Sequence, residues 1–175
     1  MLPVARTRDE AHLYMDLHGC SRCGSSDIAW AESLADVGGV PARRYSGACR
    51  QCGLDREFLF ELPERPTPPA PGRAVTFGAD GDRSRLFDAG QWIAIADMTA
   101  LASGLEDVPE SEARESRAIA VACYDEALKF LPPGAARLSE EAFWSVAGRD
   151  FRRRSPERFR RDDLAARRAE LIDRG

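Results

Sequence analysis

Four of the five cysteines stand in two copies of one phrase, "GCSRCGSSD" at 19–27 and "ACRQCGLDR" at 48–56. Each Cys-x-x-Cys can turn tightly enough to aim two sulfurs at one ion. Cys20, Cys23, Cys49 and Cys52 therefore have the spacing of a four-thiolate zinc centre. Gly24 and Gly53 follow each second cysteine, where left-handed backbone lets amides point back at the sulfurs. Such hydrogen bonds help four negative sulfurs share one dication. Four protein ligands close the site to water and substrate, so the expected metal is one structural zinc per chain with no catalytic part. A redox dithiol, a disulfide or an iron site are the competing readings. Neither motif has the strand-to-helix setting of a thioredoxin-like pair. His18, two residues before Cys20, either assists the ligands or, the favoured reading, packs at a helix end. The fifth cysteine, Cys123, reads as a small buried residue of a helix.

With its intervening hairpin, the pair of phrases "CSRCG" and "CRQCG" resembles the zinc-ribbon superfamily over residues 18–62. The two pairs lie 25 residues apart, more than the roughly 15–20 usual for this spacing. A longer hairpin through "VGGV" accommodates the difference without moving the sulfurs. The whole chain also resembles small zinc-ribbon proteins of high-GC bacteria, a likeness that implies no activity.

Other chemistry is sparse. The two histidines, His12 and His18, are six residues apart and roughly 240° around a helix, so they cannot share a face as metalloprotease ligands do. No phosphate-binding loop or dinucleotide fingerprint is present. "DGDRSR" hints at a calcium loop, but Arg85 stands where the invariant glycine belongs, and a turn is the better reading. No catalytic residue and no small-molecule substrate is identified. The segment "RDFRRRSPERFRR" at 149–161 carries seven arginines (Arg149, Arg152, Arg153, Arg154, Arg158, Arg160 and Arg161) against Asp150 and Glu157. With Phe151 and Phe159 interleaved, it could grip phosphates and stack bases. It could instead dock an acidic protein surface, or be a solvated face with both phenylalanines turned inward.

The elements that must position these residues follow from periodicity. Thr7 and Glu10 have capping-box spacing ahead of a helix that places Ala11, Tyr14, Met15 and His18 on one face. "DIAWAESLAD" and "ARRYSGAC" read as strands around the Gly38-Gly39 turn, and "REFLFEL" as a third strand. Five of the eleven prolines fall in 62–72, an extended linker or a proline-rich surface loop. Beyond it the period changes to that of helices, at 88–103, 110–131, 139–152 and 156–173. "RAVTFG" is read as one more short strand. Ile119, Ala122, Cys123, Ala127, Phe130 and Leu131 make the inward stripe of the second of these helices. Ser139 is the expected cap of the third helix, and Ser155 with Pro156 the start of the fourth. "CYDEALKFLPPG" looks like part of a tetratricopeptide unit, but no repeat of that period accompanies it.

Composition sets the class. Of 175 residues, 43% are hydrophobic and 31% charged, as in a folded globular protein. Lys129 is the only lysine among 25 basic residues and there is no asparagine, a bias that fits a GC-rich genome. Net charge is −4, with only 138–175 positive, so a uniformly basic nucleic-acid binder is not expected. No apolar stretch reaches the length of a membrane span or a signal-peptide core, so a cytoplasmic location is expected. In that reducing compartment, paired cysteines point to metal.

These readings predict an α+β chain: a β-rich zinc-ribbon domain with a leading helix at 1–62, a proline-rich linker at 63–72, and an α-helical domain at 73–175. The expected role is a non-catalytic, zinc-stabilised module that binds another protein, as an adaptor or toxin-neutralising partner. The alternative is nucleic-acid binding through the ribbon and the arginine segment.

Overall fold

The structure, a computed structural model, describes residues 1–174. The chain forms two compact units, Met1–Pro68 and Pro69–Gly175.

The first unit is α+β. Helix α1 (Arg8–Leu17) precedes an antiparallel sheet of β1 (Ala31–Val37), β2 (Val40–Ala48) and β3 (Asp55–Glu61), in that spatial order. Thr7 caps α1 by accepting from the Glu10 amide at 3.1 Å. The Glu10 carboxylate, fully buried, takes the Arg6 amide at 2.7 Å and pairs with the Arg6 guanidinium at 2.7 Å. A buried cation and anion this close satisfy each other, which neither could do alone in the core. Gly38 and Gly39 both have positive φ, 64° and 87°, as a two-residue hairpin turn twisting with its strands requires. Tyr45 of β2 faces Phe58 of β3 in register. Tyr14 from α1 meets Phe58 and Phe60 edge-on, with centroids 6.1 and 5.7 Å apart. This aromatic layer, with Ala11 and Met15 buried beside it, is the unit's core.

The second unit is helical: α2 (Ala89–Ala102), α3 (Glu110–Leu128), α4 (Val146–Arg154) and α5 (Arg161–Asp173), with short 3₁₀ turns at Glu140–Ala142 and Pro156–Phe159. Trp92 of α2 is fully buried, flanked by Phe77 and Phe87 at 5.0 and 4.9 Å. Of the expected stripe, Cys123 and Ala127 are buried on α3 and Ile119 and Ala122 are half-covered, while the helix ends at Leu128 and Phe130 and Leu131 are buried in the turn just beyond it. Burial pushes the Cys123 thiol far up, which makes it an inert packing residue.

Three expectations change. "RAVTFG" forms no strand; Thr76 accepts from the Ala70 amide at 2.9 Å and Phe77 packs on Trp92 instead. The expected helix at 139–152 begins seven residues later, at Val146, because Ser145 and not Ser139 provides the side-chain cap, taking the Gly148 amide at 2.8 Å. The helix expected at 156–173 starts as a 3₁₀ turn and opens to extended backbone at Arg160. There the Arg161 amide donates to the Ala136 carbonyl at 2.9 Å, a partner outside the helix.

Asp88 ties two helix starts together. Its carboxylate completes a capping box with Gln91 and also accepts the Ser145 amide at 2.8 Å. A Cβ at residue 148 would lie 2.3 Å from Asp88 Oδ2, so only glycine lets α4 approach so closely.

Candidate metal centre

Each cysteine pair sits in a tight knuckle, and the two knuckles repeat one hydrogen-bond plan. In the first, the Cys20 amide donates to the Ser25 carbonyl at 2.8 Å and the Gly24 amide to the Cys20 carbonyl at 2.7 Å. In the second, the Cys49 amide donates to Leu54 at 2.9 Å and the Gly53 amide to Cys49 at 2.8 Å. Gly24 and Gly53 have φ of 78° and 71°, the left-handed turn that a side chain would strain. At the first knuckle the amide just after that turn, of Ser25, favours the Cys23 thiolate, while at Cys20 and Cys49 the helping amides lie before the glycine.

The first knuckle follows α1 directly and the second joins β2 to β3, so the sheet fixes one against the other. Ile28 bridges Cys49 in antiparallel fashion, and the Arg50 amide donates to the Asp27 carbonyl at 3.0 Å. Arg22 reaches across to the Cys52 carbonyl at 3.3 Å. Arg56 of β3 holds the Gly19 and His18 carbonyls at 2.6 and 3.0 Å, pinning the entrance to the first knuckle.

The four sulfurs lie within 4.8 Å of one another. The Cys20–Cys52 and Cys23–Cys49 Sγ separations are both 3.5 Å. A tetrahedron with metal–sulfur bonds of about 2.3 Å has edges of about 3.8 Å. A breathing motion of a few tenths of an ångström would admit the ion, so the donor set fits one zinc. Cys20 and Cys49 are buried, Cys52 is half-covered and Cys23 faces solvent.

The electrostatics show why a cation belongs there. The Arg22 amide, aided by the Cys23 amide and neighbouring sulfurs, draws the Cys20 thiol down to about 6 against the opposing effect of burial. Cys49 is lowered likewise, first by the Cys52 amide. At Cys23 the Ser25 amide favours the thiolate, but the partial loss of water on the side facing the cluster and the three adjacent sulfurs outweigh it and push the thiol up to about 12, although the residue as a whole is exposed. The tetrad thus favours the Cys20 and Cys49 thiolates and resists that of Cys23. A dication removes that conflict by drawing charge from all four.

His18 lies outside the cluster. Its Nδ1–H donates to the Tyr14 carbonyl at 2.7 Å, and its ring stacks on Tyr14 with centroids 4.0 Å apart. Sequence reading passed over Gly19 and Gly47. A Cβ would come within 2.4 Å of the Gly24 carbonyl oxygen at the first and within 2.5 Å of the Ala29 oxygen at the second. Arg22 and Arg56 were also passed over, since their partners are backbone carbonyls that no spacing rule reveals.

The arginine segment is divided by the fold. Arg158 turns inward, pairing with Asp97 at 2.7 Å and Asp163 at 3.4 Å. Arg161 donates to the Ala135 and Pro132 carbonyls at 2.8 and 3.0 Å. Arg152 pairs with Glu140 at 2.7 Å, Arg153 with Asp150, and Arg149 donates to the Trp144 carbonyl. Phe159 is buried and meets Phe151 edge-on at 5.2 Å. Arg154 and Arg160 are exposed. Comparison with protein-family models, with curated proteins and with solved structures yields no match to this chain.

Proposed function

We propose that this chain is a non-catalytic, zinc-stabilised protein-interaction module, acting as an adaptor or a toxin-neutralising partner, with a zinc-ribbon first unit. The four-cysteine tetrad carries the reading. With four sulfurs as ligands, zinc has no position left for water or substrate, so its contribution is to folding. The sheet of the first unit has a thin core, and a structural zinc supplies the missing stability.

Support for a protein partner comes from α2. Met98 and Leu101, three residues apart on one helix face, are 60% and 73% exposed, and Leu105 just beyond is 59% exposed. Exposed apolar clusters on otherwise charged surfaces mark association sites. The arginine segment supports nucleic-acid binding less well, since five of its seven guanidiniums already bond within the chain.

Elemental analysis of reduced, tag-free protein tests the metal, with about one zinc per chain expected. For the partner, Leu101→Asp should abolish capture of a specific protein while zinc content and helicity stay unchanged. Tight, salt-sensitive binding of DNA or RNA by the parent chain would replace this reading with the nucleic-acid one.

A further inference from the structure

A groove of about 380 Å³ runs along α3 and α5 and is floored by Val75, Val121 and Leu171. Four arginines line it: Arg73, Arg114, Arg117 and Arg168. Arg168 is held by Asp125, at 2.5 and 3.4 Å, so its charge is largely met. Arg73 and Arg114 are exposed at the rim.

Arg117 is the anomaly. It is only 9% exposed, yet among the described residues its Nε finds no hydrogen-bond acceptor, and one Nη2 bond of 2.6 Å to the exposed Glu110 is its single ion pair. A buried guanidinium with an unmet donor is costly, and such a group calls for an explanation, a bound partner among them. Its planar fork suits a carboxylate, which can accept two parallel hydrogen bonds. The apolar floor beside it suits a hydrocarbon. The cavity volume lies in the range of small-molecule sites, which combine an apolar lining with a few placed polar groups.

We propose that this groove binds an amphipathic carboxylate of medium chain length, its head on Arg117 with Arg73 and Arg114 flanking, and its tail over Val75, Val121 and Leu171. The inference is independent of the zinc centre and of the exposed residues of α2. Head and tail must both contribute, which separates this site from a bare anion patch or a greasy cleft.

Titration calorimetry on the zinc-loaded full chain tests it with octanoate, octanol, acetate and inorganic phosphate as probes. Octanoate should saturate one site, and octanol should bind at least about tenfold more weakly. Acetate and phosphate, lacking a tail, should show no saturation in the same range. Val121→Trp should block the groove and abolish octanoate binding while circular dichroism stays unchanged. Arg114→Gln, at an exposed position that cannot affect folding much, should weaken octanoate several-fold and leave octanol unaltered. Octanoate binding no tighter than octanol, or undiminished in Val121→Trp, overturns the proposal. Phosphate competing as well as octanoate does so too, because the tail would then play no part.

Discussion

The two units solve the same problem by different means. In Met1–Pro68, an aromatic layer between one helix and three strands is thin, and the two knuckles that frame it converge on four sulfurs. In Pro69–Gly175, the buried rings of Trp92, Phe87, Tyr124 and Phe159 make an aromatic core. Small cores lean on staples and larger ones on packing. On the proposed reading the metal serves folding, and its loss should be felt in one unit far more than in the other.

The sharpest way to break this contrast is to remove a ligand. Cys20→Ser or Cys49→Ser should release the metal and unfold the first unit, since structural zinc contributes on the order of 10 kcal/mol in small zinc domains. Near-ultraviolet dichroism and metal analysis would read it, and the helical signal of the second unit should persist. A variant that keeps both its zinc and its sheet would remove the basis of the comparison.

The second unit has its own weak point at Asp88, where one buried carboxylate serves two helix starts. Asp88→Ala should cost about 3 kcal/mol in denaturant unfolding through two lost bonds to amides. Gly148→Ala should be destabilising alone, because the carboxylate occupies the space a Cβ needs. It should cost less when Asp88 is already alanine, a non-additivity that identifies the clash.

Smaller still is the alkaline response. Burial and the 2.5 Å hydrogen bond to Asp97 raise the Tyr124 phenol above its ordinary value. The folded state therefore holds this proton more tightly than the unfolded chain. The stability this gives is complete below the ordinary phenol value of about 10 and is lost as pH rises through the higher folded value. Tyr124→Phe should lower stability at neutral pH by about 1.5 kcal/mol and flatten the alkaline fall. An unchanged alkaline profile would show that another group sets it. The least effect belongs to Arg154 and Arg160: reversing both to glutamate should shift stability by less than about 0.5 kcal/mol. A larger loss would mean that they take part in packing.

How much of this could be read beforehand differed with the physical range of the signal. The tetrad was legible because Cys-x-x-Cys-Gly is a local geometry, complete within five residues on each side. The hairpin was equally legible, as Gly38-Gly39 announces its turn between alternating strands. The break at 143–145 was not. It depends on Asp88, 57 residues away in sequence, accepting the Ser145 amide. Ser139, the nearer candidate cap, makes no such side-chain bond. "RAVTFG" has strand composition but no neighbouring strand; Phe77 is drawn to Trp92 instead. The groove was invisible for the same reason. Arg117 sits on an ordinary helical pattern, and only the packing of α5 and 72–75 around it leaves Nε without an acceptor.

The central claim, that the metal holds up one unit and not the other, is tested most directly by amide hydrogen exchange of the full chain before and after a strong chelator. Loss of protection through α1 and the three strands, with protection across α2, α3 and α5 retained, is the predicted result. Protection in 1–68 that survives complete removal of metal would contradict it.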